Sequence, residues 1–143
     1  MDLRPIVDGY SVAPQLTPAD MAELASLGVT TVICNRPDAE VPPNLSSDAI
    51  RTAAEDAGLH YVHNPVIGLG LAPEAIDAQA SAIDGASGHV VAYCASGMRS
   101  ALMWALAMAG RRPVTEILAI VGDAGYRMDH LAGQIEGIGK VRR

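Results

Sequence analysis

The chain has 143 residues, half of them hydrophobic, with no phenylalanine, one tryptophan and a formal charge of −6 from 10 basic and 16 acidic side chains. That length suits one domain, residues 1–143, which can bury a core without staples, and the core must be built from Ala, Val, Ile, Leu and Met. The negative balance works against nucleic acid or an anionic membrane surface as the main partner, and two cysteines are too few for a disulfide scaffold.

The segment Met1-Asp2-Leu3-Arg4-Pro5 lacks the charged-then-apolar pattern of a signal segment. No apolar run has the length of a membrane span, so a cytoplasmic location is expected. An opening strand is expected over residues 9–15. Thr17 as N-cap, Pro18 at the first helical position and Asp20 in the first turn then open a helix. Its apolar stripe is Met21, Leu24, Ala25 and Leu27, and Gly28 closes it. Val29 to Cys34 is a β-branched run of strand length, stopped by Asn35-Arg36-Pro37-Asp38. After the Pro42-Pro43-Asn44 loop, Ser46-Ser47-Asp48 start a helix running to about Ala57, and residues 59–66 read as a strand. His60 and His63 are three apart on that strand, point to opposite faces and do not pair as metal ligands.

Residues 67–71 have linker chemistry, and Gly68 to Leu71 are read as a lid over a pocket. Pro73-Glu74 open a helix to Asp84, and Gly85 to Gly88 return the chain to a strand, His89 to Tyr93. Ser100 to Ala109 is apolar on nearly every side, which places that helix centrally, covered by others. Pro113-Val114-Thr115-Glu116 start another helix ending near Gly122, and a short terminal helix is expected from Asp129 to about Ile135. This alternation specifies an α/β domain with a central, largely parallel sheet flanked by helices. Ligands of such sheets sit outside the carboxyl ends of the strands, where Cys94 falls.

Cys94 closes a buried strand and is followed by Ala95-Ser96-Gly97-Met98-Arg99-Ser100, a tight loop leading into a helix. Loop and helix-start amides together with a guanidinium favour the thiolate, the nucleophilic form, and cradle an anion against it. An arginine at a helix N-terminus opposes the helix dipole, and a bound oxyanion or the Cys94 thiolate compensates it. Ser100 is either a plain helix cap or a hydroxyl donor to the sulfur. Cys34, without such a context, reads as a small buried hydrophobe.

The run Tyr93-Cys94-Ala95-Ser96-Gly97-Met98-Arg99-Ser100, with the upstream Thr31-Val32-Ile33-Cys34-Asn35-Arg36-Pro37-Asp38, resembles the beta-lactamase-hydrolase-like phosphatase-fold family. The resemblance runs from the opening strand through Ala124-Gly125-Tyr126. It implies a dual-specificity (protein tyrosine) phosphatase-like fold, in a family that occurs alone or fused to sulfide-oxidising enzymes and is often labelled sulfurtransferase. It implies Cys94 as nucleophile, Arg99 as oxyanion ligand, and the amides of Ala95, Ser96, Gly97, Met98, Arg99 and Ser100 as substrate cradle. Two positions depart from the family pattern, Ala95 where a basic residue is common and Met98 where a small hydroxyl residue is. The loop is thereby less electropositive, which works against tight binding of a doubly charged phosphate.

Protein tyrosine phosphatases place five residues between cysteine and arginine, whereas four intervene here, as in rhodanese-type sulfurtransferases. Phosphoester cleavage also needs an acid for the leaving alkoxide. The stretch Pro65-Val66-Ile67-Gly68-Leu69-Gly70-Leu71, where related phosphatases carry an aspartate, has no carboxylate. Glu74 and Asp77 belong to the next helix, and Asp38 and Glu40 are the alternative source of an acid. Sulfur transfer needs none. The sequence therefore points first to a sulfurtransferase that forms a Cys94 persulfide from thiosulfate or a low-molecular-weight persulfide, with a small anionic sulfur donor and a thiol acceptor as partners. A cysteine-dependent phosphatase acting through phosphocysteine is the alternative. A non-enzymatic anion-binding or sulfur-sensing module, with Cys34 as resolving thiol, is the third. No metal or organic cofactor is implied.

Overall fold

The computed structural model describes residues 1–68 and 71–142. The two β-branched runs form β3 (Val29–Cys34) and β5 (His89–Tyr93) where the sequence places them. They pair in parallel, with Ile33 opposite Ala92 and Cys34 opposite Tyr93. β2 (Tyr10–Ala13) runs parallel on the other side of β5, and β4 (His60–His63) runs parallel to β3. An additional strand, β1 (Arg4–Val7), turns back antiparallel onto β2, giving the order β1-β2-β5-β3-β4. Pro5 obscures this strand in the sequence, and an edge position is where a sheet tolerates a residue without an N–H.

Alternation along β3 and β5 sends their apolar side chains to both faces, so the sheet is covered twice. On one face lie α1 (Asp20–Ser26) and α2 (Ser47–Asp56), with Met21, Leu24 and Ile50 packed against Val32, Val91 and Tyr93. On the other lie α3 (Pro73–Asp84), α4 (Met98–Met108), α5 (Val114–Asp123) and α6 (Ala132–Arg142). Every residue from Ser100 to Met108 is buried, because α4 packs against α3, α5 and α6 while facing β2 and β5. Each fully buried Leu, Ile or Met here contributes roughly 1.5–3 kcal/mol, which lets the chain dispense with phenylalanine.

The opening strand expected over residues 9–15 is limited to Tyr10–Ala13, α4 begins at Met98 and not at Ser100, and three further boundaries also differ from expectation. The first helix begins at Asp20, and Thr17 is not its cap: the Asp20 carboxylate instead accepts the Thr17 amide at 2.8 Å. The strand expected over residues 59–66 is regular only to His63, although the Asn64 and Val66 amides still donate to the Cys34 and Asn35 carbonyls at 2.8 and 3.0 Å, and Pro65 falls between them on the outer edge of the sheet, where no N–H is needed. The last helix continues to Arg142 despite three glycines that depress helix propensity. One of them, Gly139, lies so close to the Ala109–Gly110 backbone that a Cβ there would stand 2.7 Å from the Gly110 nitrogen. Among the described residues no helix is long and apolar enough to cross a membrane. The lid read over residues 68–71 includes Leu69 and Gly70, which lie outside the described residues.

Candidate active site

Cys94 follows the central strand directly, its amide donating to the Ala13 carbonyl at 3.3 Å, and the residue is 1% exposed. The chain then needs a reversal tight enough to start α4 four residues later. Gly97 supplies it with φ +94°, a left-handed conformation open to glycine at no steric cost. The reversal brings the Gly97 amide to donate to Cys94 Sγ at 3.1 Å. The Met98 amide donates to Ser96 Oγ at 3.3 Å, so it is withdrawn from the cradle that the sequence assigned it to. The amides of Ala95, Ser96, Arg99 and Ser100 have no hydrogen-bond acceptor among the described residues. These are the donors left for an anion at the head of α4. From the other side, Tyr126 packs against the loop and its hydroxyl donates to the Ser96 carbonyl at 3.3 Å. Arg4 stacks 5.7 Å from the Tyr126 ring centroid, and burial pushes the phenol above its ordinary range.

The Arg99 guanidinium is fixed by two other loops. Nη1 and Nη2 donate to the two Glu40 carboxylate oxygens at 2.9 and 2.7 Å, and Nη1 also donates to the Val66 carbonyl at 3.1 Å. Three of its N–H groups are thus committed, and of the five an arginine carries, Nε–H and one Nη2–H remain. Glu40, and behind it the Cys94 sulfur, hold the guanidinium above its ordinary range. The Glu40 carboxyl is correspondingly held below the usual glutamate range by Arg99 first and Arg36 second. Arg36 donates from Nε to Glu40 Oε1 at 3.2 Å and from Nη1 to Gln15 Oε1 at 3.1 Å. Sequence reasoning had Glu40 as a minor candidate for an acid, and the structure brings it to Arg99. Asp38 does not reach the site: its carboxylate accepts the Ser47 amide and hydroxyl at 2.8 and 2.9 Å, across the start of α2.

Beneath the loop lies a buried polar network that the sequence reading missed. The Ser100 hydroxyl donates to Asn35 Oδ1 at 2.9 Å, which settles the alternatives for Ser100 against both a helix cap and a sulfur ligand. Asn35 Nδ2 donates to Gln79 Oε1 at 2.8 Å and to the Asn64 carbonyl at 2.9 Å. Gln79 Nε2 donates to the Tyr10 hydroxyl at 3.0 Å, which donates to the Ser100 carbonyl at 2.9 Å and closes the ring. Ser100, Asn35 and Gln79 are fully buried, and burial pushes the Tyr10 phenol far up. The signals present in the sequence were an asparagine after each of two strands and a glutamine on the apolar face of α3.

Cys34 pairs in register with Tyr93, the residue before Cys94, and packs in the core between the sheet and α1 and α2. Its thiol donates to the Arg36 carbonyl at 3.3 Å, and burial first, Cys34 second, push up the phenols of Tyr61 and Tyr93, whose hydrogen-bonded hydroxyls lie 2.9 Å apart. Cys94 lies one residue on, where strand alternation turns the side chain to the opposite face. Both thiols are free, so no disulfide joins Cys34 to Cys94.

Comparison with known proteins places this geometry. The family described as beta-lactamase hydrolase-like protein, phosphatase-like domain, matches residues 2–111. A beta-lactamase hydrolase-like protein of Xylella fastidiosa (strain Temecula1) is 32% identical over 128 residues, covering 88% of this chain and 30% of that protein. One from Agrobacterium fabrum is 31% identical over 101 residues, covering 71% of this chain and 23% of that protein. The chain thus spans no more than about a third of the length of these curated relatives. Among solved structures, a candidate phosphatase of Neisseria meningitidis Z2491 is 30% identical with a TM-score of 0.82, over 96% of this chain and 99% of that one. PTPMT1, at 14% identity and a TM-score of 0.76 over 97% of this chain and 94% of its own, shares the fold. The fold is therefore that of the protein tyrosine phosphatases, as the sequence resemblance implied. With the family match over residues 2–111 added, the chain belongs to the beta-lactamase hydrolase-like phosphatase-like domain family.

Proposed function

We propose that this chain is a cysteine-dependent enzyme of the phosphatase type, acting on a small phosphate monoester through a phosphocysteine at Cys94. The single observation that carries this reading is the pairing of Cys94 Sγ with the Gly97 amide at 3.1 Å inside a loop that ends in Arg99, on a fold shared with phosphatases. The sulfur attacks phosphorus, the leaving group departs with the P–O electron pair, and the unpaired loop amides and Arg99 hold the equatorial oxygens as charge builds. Water then attacks phosphorus, the P–S pair returns to Cys94 and inorganic phosphate leaves.

Sulfur transfer is the second reading, favoured by the four-residue spacing between Cys94 and Arg99 and by the absence of a carboxyl group from residues 64–73. In it Cys94 takes the outer sulfur of thiosulfate, sulfite departs with the S–S pair, and a thiol acceptor collects the sulfur. Intact-mass analysis of wild type and Cys94→Ser, after incubation with an aryl phosphate or with thiosulfate, separates the two. A phosphoryl adduct on wild type with release of inorganic phosphate supports the first reading. A sulfur adduct with turnover and no phosphate release replaces it with the second. Full activity in Cys94→Ser removes both.

A further inference from the structure

Covalent attack by Cys94 leaves open what happens to the leaving group, and the groups around the pocket answer it. Glu40 accepts from Arg99 through both carboxylate oxygens and from Arg36 through one of them. A carboxylate gripped by two guanidiniums holds no proton to give. Asp38 has both oxygens on Ser47, Asp20 accepts the Thr17 amide, and Asp77 pairs with Arg142. Glu74 is exposed in the first turn of α3, and the sequence from residue 64 to residue 73 contains no carboxyl group. The Tyr126 hydroxyl donates to the Ser96 carbonyl, and His63, whose buried Nε2 has no hydrogen-bond partner among the described residues, pairs in register with Cys34 and shares that residue's face of the sheet. The carboxyl groups named here are therefore engaged by other partners or exposed on α3, and His63 is set on the Cys34 side of the sheet.

The donors of Arg99 show what Glu40 does instead. With both Nη1 protons and one Nη2 proton held by Glu40 and Val66, the guanidinium cannot rotate, and its free Nε/Nη2 edge forms a two-pronged fork.

We propose that this site works without a general acid, that Glu40 is a positioning residue for the free edge of Arg99, and that the substrates are small anions whose leaving group departs as a weakly basic anion. The inference rests on the reading of Cys94 as the nucleophile towards a phosphate monoester. In the first step an S–P bond forms from the Cys94 lone pair while the P–O bond breaks. The leaving oxygen takes that electron pair and no proton, as an aryloxide or a carboxylate does readily and an alkoxide does not. In the second step water supplies the new P–O bond, the P–S pair returns to sulfur and the water proton goes to solvent. No redox partner is required.

The test is the first-turnover rate of phenol release from the monophosphates of dinitrophenol, mononitrophenol and phenol, for wild type and Glu40→Gln. General acids typically contribute about 10²–10⁴-fold, so the wild-type rate is expected to fall by at least about 10²-fold from the dinitrophenyl to the phenyl ester. Glu40→Gln is expected to slow all three esters by one common factor, because a misaimed Arg99 affects every phosphoryl group alike. A wild-type rate independent of the leaving group overturns the proposal. So does a Glu40→Gln loss that grows as the leaving phenol becomes more basic, which is the signature of a proton donor. If no ester labels Cys94, the phosphatase reading fails by itself, and the leaving-group inference is then decided on sulfur donors. Thiosulfate, which releases sulfite, must then label Cys94 at least about tenfold faster than an alkyl persulfide, which releases a basic thiolate. Equal or faster labelling by the alkyl donor, or labelling by neither, overturns it.

Discussion

The Ser100 hydroxyl and Asn35 Oδ1 lie 2.9 Å apart, and the single hydroxyl proton of Ser100 is committed to that contact. The residue after the loop arginine thus anchors α4 to the end of β3, linking the chemistry-bearing helix to the neighbouring strand through a side chain and not through the sulfur.

Ser100→Ala is accordingly expected to cost about 1 kcal/mol, since Asn35 Oδ1 keeps Gln79 Nε2 as a weaker donor at 3.3 Å. Cys94 alkylation at neutral pH should change by less than about threefold, a difference well under 1 kcal/mol. Asn35→Ala strands the Ser100 hydroxyl and the Asn64 carbonyl together, at roughly 1–3 kcal/mol for each group left unpaired, while Gln79 keeps Asn64 Nδ2 and the Tyr10 hydroxyl at 3.0 Å each. Urea midpoints and iodoacetamide kinetics check both variants, and a tenfold loss of thiol reactivity in Ser100→Ala alone would return Ser100 to the sulfur.

The ion pair between Glu40 and Arg99 sets a pH dependence. The Glu40 carboxyl is held low by Arg99, so its contribution to stability is present above the unfolded-state value, about 4.3 for glutamate. That contribution is lost as pH falls through the lower folded value. Both side chains are partly exposed, which keeps the amount within about 1 kcal/mol. The stability difference between wild type and Glu40→Gln should hold constant above about pH 5 and shrink below about pH 4.3. A difference unchanged into strong acid would show that Arg99 does not hold Glu40 ionised.

Gly97 and Tyr126 are expected to be coupled. A Cβ on Gly97 would collide with the Tyr126 hydroxyl, and the φ of +94° adds roughly 1–2 kcal/mol of strain for any other residue. Gly97→Ala should lower stability and Cys94 labelling. Tyr126→Phe in the same chain should recover part of the loss, with a coupling energy of roughly 0.5–3 kcal/mol. Additive effects in the double-mutant cycle would place Tyr126 outside the support of the loop.

The glycines of α6 should respond with opposite signs. Gly137→Ala meets open space on an exposed face and is expected to stabilise by roughly 0.5–1 kcal/mol through helix propensity. Gly139→Ala would press a methyl against the Gly110 backbone and is expected to destabilise, by about 1–3 kcal/mol. Thermal midpoints of the two variants decide it, and a stabilising Gly139→Ala would mean that α6 is free to move off the loop.

Legibility in the sequence followed the physical origin of each feature. β3, β5 and α3 were readable because β-branched runs, a proline start and a glycine stop act locally. β1 was not, because a short edge strand with a proline is defined by its partner and not by its own pattern. α6 was not, because Gly139 answers to a backbone far along the chain. Within the site, Cys94, Gly97 and Arg99 stand in one contiguous loop and announced themselves. Glu40, the Val66 carbonyl, Gln79 and Tyr126 arrive from four separate segments, and nothing in their own surroundings marks where they meet. The engagement of Glu40 by two arginines altered the reading of the reaction more than the loop itself did.

The strand order carries a consequence for assembly. β5 enters between β2 and β3, which share no hydrogen bonds, so the sheet is two separate pairs until residues 89–93 are in place. Closing it requires contacts across long stretches of chain, the slow kind of event in folding. The segment that joins the halves is the one that ends in the nucleophile. A half-made chain emerging from synthesis therefore has no joined sheet, and the long-range contacts that aim Arg99, to Glu40 and the Val66 carbonyl, can form only after that segment has been added.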